Sequence, residues 1–158
     1  MRGMAPPSAL PRELPTVSQN SIFYPVLVQV LLTLAVLMMM GPARSRSMRE
    51  NRQHIDDKDV RLGQNVWTEQ AIKVSNNFKN QFELPVLFYA ACAFALLLRQ
   101  VDGVMIALAW VFVVTRIAHT VVHVGPNIVA WRAAAYLIGA VAVLAMWLVL
   151  GWRVWAGA

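Results

Sequence analysis

Four long apolar blocks constrain this chain more than any other feature of its sequence. They cover residues 22–40, 84–98, 104–124 and 133–150, and Arg116 is the only formal charge within them. A helix that crosses a membrane needs about 20 mostly apolar residues, so four such blocks leave no room in 158 residues for a separate soluble domain. The chain is 14% charged, whereas an average soluble domain has roughly 25% charged residues. The sequence therefore predicts an all-α integral membrane protein that folds as a four-helix bundle.

Breaks in the apolar pattern predict where the helices begin and end. The helices are expected at about 21–41, 65–99, 103–124 and 128–152, within one membrane domain of residues 21–156. Gly41 and Pro42 are expected to end the first helix, and Pro85 is expected to kink the second. Residues 1–20 contain four prolines and are expected to form a disordered tail.

Most of the basic residues lie in one connecting segment. Eight of the 14 Lys and Arg residues fall within residues 43–79, without the regular aromatic interleaving of a nucleic-acid-binding strip. Loops rich in Lys and Arg remain on the cytoplasmic side of a membrane. The sequence therefore predicts a multi-pass protein with residues 43–79 in the cytoplasm and no nucleic-acid partner. The short connections suit a bacterial inner membrane.

Polar side chains interrupt the apolar blocks, and the predicted topology brings them to one end of the bundle. Arg116, His119 and His123 are spaced i, i+3 and i+7, so they share one helix face. Two further pairs lie where the second apolar block and the fourth helix begin: Asn80 with Glu83, and Arg132 with Tyr136. We expect all seven side chains to converge on the cytoplasmic half of the bundle.

Glu83 is the only acid in this group, and it is expected to face both Arg116 and Arg132. A charge in a membrane helix costs about 2.5–3.5 kcal/mol, and such charges usually face the bundle interior and pair. Two arginines against one glutamate leave a positive charge without a partner. This imbalance predicts an anionic ligand or an interhelical pairing that the sequence does not show.

These residues carry the pattern of a known family. The chain reads Arg-Ile-Ala-His-Thr-Val-Val-His from Arg116, Arg-Ala-Ala-Ala-Tyr from Arg132, and Asn-Gln-Phe-Glu-Leu-Pro from Asn80. In these segments and in their order it resembles the MAPEG family, the membrane-associated proteins in eicosanoid and glutathione metabolism. The resemblance covers about residues 22–152. It implies a homotrimer of four-helix bundles that binds glutathione, as a co-substrate, between neighbouring subunits.

The resemblance also implies roles for individual residues. Arg132 is similar to the arginine that stabilises the glutathione thiolate, and it is the expected catalytic residue. The other implied glutathione-binding residues are Asn80, Glu83, Arg116, His119, His123, Tyr136 and either Arg44 or Arg46. No metal ligand is implied. Three positions depart from the family pattern: His123 replaces a tyrosine, while Ala133 and Asn76 replace a serine and an arginine found in some members.

The sequence leaves three hypotheses open. The first is a membrane glutathione transferase or peroxidase that acts on lipophilic electrophiles or lipid hydroperoxides, with the lipophilic substrate entering from the bilayer. The second is a non-catalytic trimeric membrane protein that binds lipid or a partner. The third is a small membrane protein that holds haem or a metal through His119 and His123, which lie one helical turn apart.

Overall fold

The computed structural model describes residues 18–50 and 67–157, and in these ranges all regular structure is helical. A short 3₁₀ helix, Gln19–Ile22, leads into five α-helices: α1 (Phe23–Glu50), α2 (Glu69–Asn80), α3 (Leu84–Leu97), α4 (Gly103–Val124) and α5 (Val129–Ala156). Helices α2 and α3 together form one span, so four spans are long and apolar enough to cross a membrane. The predicted all-α, four-span architecture is confirmed.

Helix α1 continues beyond the point where the sequence predicted its end. Pro42 lies inside the helix, which runs on to Glu50. A proline inside a helix costs about 3 kcal/mol, because it removes one hydrogen bond and crowds the preceding turn. The turns beyond Pro42 make two contacts that favour their helical conformation. The hydroxyl of buried Ser47 accepts a 2.7 Å hydrogen bond from the Thr68 amide, and Arg46 pairs with Glu50 at 2.7 Å. The prediction of a helix end at Gly41 and Pro42 was therefore wrong.

The second span is broken rather than kinked. Helix α2 ends at Asn80, and α3 begins at Leu84. Pro85 is in the first turn of α3, where a missing N–H breaks no helical hydrogen bond. If α2 and α3 were one continuous helix, the ring of Pro85 would clash with the carbonyl of Gln81, four residues earlier. One helix was expected over 65–99, whereas the structure has two. The break releases the Asn80 carbonyl from the helical ladder.

The other predicted boundaries fall partly outside the described residues. The tail predicted over 1–20 lies outside them up to residue 17, and so do residues 51–66 of the predicted cytoplasmic segment. Residues 19 and 20, which were expected in the tail, instead belong to the 3₁₀ helix. The Gln19 side chain bonds to the backbone of Val101, as donor at 3.1 Å and as acceptor at 3.4 Å. This pairing fixes the start of the first span against the α3–α4 connection.

The core lies between α3, α4 and α5. Phe88 and Phe112 stack with ring centroids 4.4 Å apart, and both are fully buried. Helices α4 and α5 approach closely at Gly139, where a Cβ would lie 2.9 Å from the Thr115 hydroxyl. Large apolar side chains cover the outer faces of the helices, including Leu97 at 77% exposure. Such a surface suits contact with lipid or with neighbouring membrane helices.

Candidate functional site

A cavity of about 690 Å³ lies between α2, α4 and α5, at the end of the bundle where α4 ends and α5 begins. We call this end the site end. The cavity is lined by Asn76, Asn80, His119, His123, Val129, Arg132, Ala133, Tyr136 and Leu137. Five of the seven side chains that the sequence expected to converge therefore line one cavity. Arg116 and Glu83 do not.

Arg116 is directly behind this cavity and is fully buried. Its Nη2 donates a 2.9 Å hydrogen bond to the Asn80 carbonyl, which the break after α2 has freed. Its guanidinium carbon is 5.8 Å from the centroid of the Tyr136 ring, close enough for a cation–π interaction. Nε and Nη1 of Arg116 are buried and have no hydrogen-bond partner among the described residues. Within residues 18–50 and 67–157, the hydrogen-bonding capacity of this guanidinium is thus only partly used.

His119 connects three helices through its two ring nitrogens. Its Nδ1 is 3.1 Å from the backbone carbonyl of Arg132. Since a carbonyl only accepts, Nδ1 carries the proton, and Nε2 of the neutral ring is an acceptor. This Nε2 lies 3.4 Å from the Asn80 side-chain nitrogen and 3.4 Å from Nδ1 of His123. His119 therefore positions its neighbours and has no nitrogen left for an external ligand.

Arg132 lies in the first turn of α5 and is half-buried. Its Nη1 donates a 2.8 Å hydrogen bond to the side-chain oxygen of Asn127, which precedes the helix in a left-handed backbone conformation with φ of 53°. Within the described chain this is the guanidinium's one hydrogen bond. Its remaining N–H groups are open to the cavity, where they can bind an anion. The start of a helix also favours negative charge.

Glu83 does not face the two arginines. It is exposed, and it forms no salt bridge with Arg116 or Arg132 in the described chain. The expectation assumed that Asn80 and Glu83 share a helix face, but Glu83 lies beyond the end of α2. Its backbone, with φ of −94° and ψ of −96°, is not helical. The expected pairing was therefore wrong within one protomer.

Arg44 lines a second, separate cavity of about 390 Å³ on the other side of α2. There its guanidinium carbon is 5.4 Å from the centroid of the Trp67 ring, and Lys79 supplies a second positive charge. Asn76 lines both cavities and forms part of the wall between them. Arg46, the alternative to Arg44, is paired with Glu50. One protomer therefore brings neither arginine into the first cavity.

Sequence reasoning missed a cluster of buried amides beside the site. The Gln81 side chain accepts from Gln29 at 2.9 Å, and it donates to Asn77 at 3.1 Å and to Thr120 at 3.2 Å. All four side chains are buried. The available signals were Gln29 in an otherwise apolar block and the i, i+4 spacing of Asn77 and Gln81. The cluster joins α1, α2 and α4 behind the cavity wall.

The hypothesis of a haem or metal protein fits this geometry poorly. Both ring nitrogens of His119 contact protein groups, and one of these contacts is His123. In the part of the chain that the structure describes, no group of three His, Cys, Asp or Glu side chains is placed to hold a metal ion. Two histidines that bond to each other cannot both present a nitrogen to one metal without moving.

Comparison with known proteins gives one clear result. A family model described as the MAPEG family matches residues 22–152. A search of curated proteins and a search of solved structures found no match. The matched range contains every residue that lines the 690 Å³ cavity. The chain therefore belongs to the MAPEG family.

Proposed function

We propose that this protein is a membrane-bound, glutathione-dependent transferase or peroxidase that acts on lipophilic electrophiles or lipid hydroperoxides. The observation that carries the proposal is the 690 Å³ cavity in which Arg132 has N–H groups without a protein partner among the described residues. Membership of a family linked to glutathione supports this choice of co-substrate.

The chemistry requires a group that stabilises a thiolate, because the thiolate is the nucleophile. A free thiol has a pKa near 8.5, and lowering that value by about 2 units takes roughly 2.7 kcal/mol of differential stabilisation. A charge-assisted hydrogen bond from a partly desolvated guanidinium is of this order. Arginine also keeps its proton in such a site, where a lysine can lose it. We assign the thiolate-stabilising role to Arg132.

The charges around the cavity suit the rest of glutathione, which carries two carboxylates and one ammonium group. Arg116 and Arg132 supply positive charge, and the amides of Asn76 and Asn80 can bond to peptide groups. Exposed Glu83 is available for the ammonium group. We therefore propose that Asn80, Glu83, Arg116, His119, His123 and Tyr136 hold the tripeptide directly or position the groups that do.

The cavity is open on the outer face of α5. Val129 and Leu137 line it, and they are 64% and 65% exposed on that face. A lipophilic substrate can reach the thiolate from lipid through this opening, and a neighbouring subunit can close the rest of it. We propose a homotrimer in which Arg44 acts on glutathione from a neighbouring copy, since it does not reach the cavity of its own chain. We also propose that the site end faces the cytoplasm of a bacterial inner membrane.

Glutathione binding tests the proposal directly. We expect the detergent-purified protein to bind glutathione with a Kd in the micromolar to millimolar range, measured by equilibrium dialysis. Arg132→Ala is expected to weaken binding about tenfold or more, because an ion pair in a partly buried site is lost. Arg99→Asn is the matched control. It removes one positive charge at the opposite end, at an exposed position with φ of 54°, which asparagine tolerates.

Two outcomes would contradict the proposal. One is the absence of glutathione binding by the wild-type protein while its oligomer, sized by light scattering, stays intact. The other is equal weakening by Arg132→Ala and Arg99→Asn, which would reflect general electrostatics rather than a site. The first outcome would favour the non-catalytic alternative, in which the bond of Arg132 to Asn127 only fixes the start of α5.

A further inference from the structure

We propose that His123 accepts the thiol proton of glutathione and passes it to water, so that Arg132 stabilises a thiolate that His123 generates. This inference rests on the proposed function, because it needs glutathione in the 690 Å³ cavity. It assigns a catalytic role to a position at which the chain departs from the family pattern. A tyrosine there would carry its phenolic proton at neutral pH and could not accept another.

The hydrogen bonds around His119 define which nitrogen of His123 is an acceptor. Nε2 of His119 is an acceptor, because Nδ1 of that ring donates to the Arg132 carbonyl. Nδ1 of His123 lies 3.4 Å from this Nε2, where an unprotonated Nδ1 would place two lone pairs against each other. Nδ1 therefore carries the proton and shares the acceptor with the Asn80 amide. A neutral imidazole has one donor and one acceptor. Nε2 of His123 is therefore the acceptor, and it has no hydrogen-bond partner in residues 18–50 and 67–157.

His123 has no rival for this role among the polar groups that line the cavity. The amides of Asn76 and Asn80 are not bases, and Arg132 has no lone pair to offer. The hydroxyl oxygen of a phenol, such as that of Tyr136, is a much weaker base than an imidazole nitrogen. His119 lines the cavity too, but both of its nitrogens contact protein groups. An imidazole is the side chain that exchanges protons most readily at physiological pH.

The step balances as follows. The S–H bond of glutathione breaks, its electron pair stays on sulfur, and the proton moves to Nε2 of His123. His123 lines the same cavity as Arg132, whose positive charge opposes a lasting charge on the imidazole. The proton therefore moves on to water and leaves the thiolate beside Arg132. The sulfur pair then forms a C–S bond with the electrophile as the leaving group departs with its own electron pair.

The rate of thiolate formation tests this assignment. Detergent-purified protein is mixed with glutathione in a stopped-flow instrument, and the ultraviolet absorbance of the thiolate is followed. His123→Gln is expected to slow thiolate formation by about 100-fold, in the range of general acid–base catalysis. The final thiolate absorbance at saturating glutathione should change less than about threefold, because Arg132 is still present and the glutamine amide can still donate to His119. Imidazole added to the buffer should restore part of the rate.

Two variants act as controls. Arg132→Ala is expected to lower the final thiolate absorbance, since it removes the stabilising charge rather than the proton acceptor. His123→Tyr places the residue of the family pattern at this position, so it tests the same step if His123→Gln fails to assemble. We expect it to be slow, like His123→Gln.

The results separate the two proposals. Thiolate formation at the wild-type rate in His123→Gln, or in His123→Tyr where His123→Gln does not assemble, would overturn the role of His123 and leave the proposed function standing. A slow rate that imidazole does not restore would also overturn it, because it would assign His123 a packing role. A wild-type protein that shows no thiolate absorbance at saturating glutathione would overturn the proposed function, and the inference with it.

Discussion

Arginines at the two ends of the bundle differ in how many of their N–H groups have hydrogen-bond partners. At the end opposite the site, Arg153 donates to the Gln100 carbonyl at 2.9 Å and forms a salt bridge with Asp102. At the site end, Arg132 has one hydrogen bond, to Asn127, and Arg116 keeps two buried nitrogens without a partner in the described chain. In the described residues, the arginine at the opposite end is therefore fixed by protein groups, whereas the arginines at the site end keep N–H groups that no protein group accepts. Each unsatisfied buried polar group calls for an explanation, and the proposed function supplies one in an anionic ligand.

Arg132→Ala should give the largest effect and the sharpest contrast between the ends. We expect kcat/KM for glutathione with an activated aryl halide to fall about 100- to 1000-fold, since a donor aimed at a developing anion is worth this much. The midpoint of thermal unfolding should change little, because the side chain is half-buried and makes one hydrogen bond. Steady-state kinetics measure the expected fall in kcat/KM, and a melting curve in detergent measures the midpoint of thermal unfolding. A large fall in the midpoint of thermal unfolding alongside the fall in kcat/KM would contradict the view that Arg132 serves the site rather than the fold.

Arg153→Ala should show the reverse behaviour. It removes a salt bridge and a hydrogen bond to a backbone carbonyl, and we expect a loss of about 1–2 kcal/mol of unfolding free energy. Glutathione affinity should stay at the wild-type value because the site lies at the other end. Thermal unfolding measures the change in stability, and equilibrium dialysis on the same preparation measures the affinity for glutathione. A weakened affinity without lost stability would mean that the two ends are coupled.

Asp102→Asn tests how the opposite end depends on pH. Burial raises the pKa of the Asp102 carboxyl, but hydrogen bonds from the Met105 amide and from Arg153 lower it more, so its pKa lies below its usual value. The carboxylate therefore stabilises the fold above its unfolded pKa, and this contribution is lost as the pH falls through the folded pKa. Asparagine still caps α4, so we expect a loss of about 1 kcal/mol at neutral pH, discounted for the exposure of Asp102. The stabilities of the variant and the wild type, measured by thermal unfolding, should converge in acid.

Glu83→Gln should have the smallest effect on stability. The side chain is exposed and forms no salt bridge in the described residues, so we expect less than about 1 kcal/mol in unfolding free energy. A loss of several kcal/mol in the thermal unfolding of the assembled protein would mean that Glu83 pairs with a buried charge across subunits. Glutathione binding, measured alongside, reports separately on its proposed contact with the ammonium group.

Sequence alone predicts the fold well because the thickness of the bilayer fixes the length of each apolar block. It predicts the convergence of His119, His123 and Arg132 because these residues lie on two continuous helices whose connection is short. The i, i+3 spacing of Asn80 and Glu83 predicted the wrong position for Glu83, because that spacing places two residues on one face only in a continuous helix. Pro42 does not end α1, and the hydrogen bond that holds the helix beyond it, between Ser47 and Thr68, joins residues 21 positions apart. Tertiary contacts of this kind leave no local trace in a sequence.

The break after α2 has a consequence for genetic dissection of this protein. Arg116 is held by a main-chain oxygen, so no side-chain substitution at Asn80 removes that anchor. Alanine at position 80 would instead report the contact of the Asn80 amide with His119 and its proposed contact with glutathione. The residue that controls whether the oxygen is available is Pro85, because a helix continued through residues 81–83 would reclaim it for the backbone ladder. The placement of the buried Arg116 charge therefore depends on an apolar residue that forms no hydrogen bond with it.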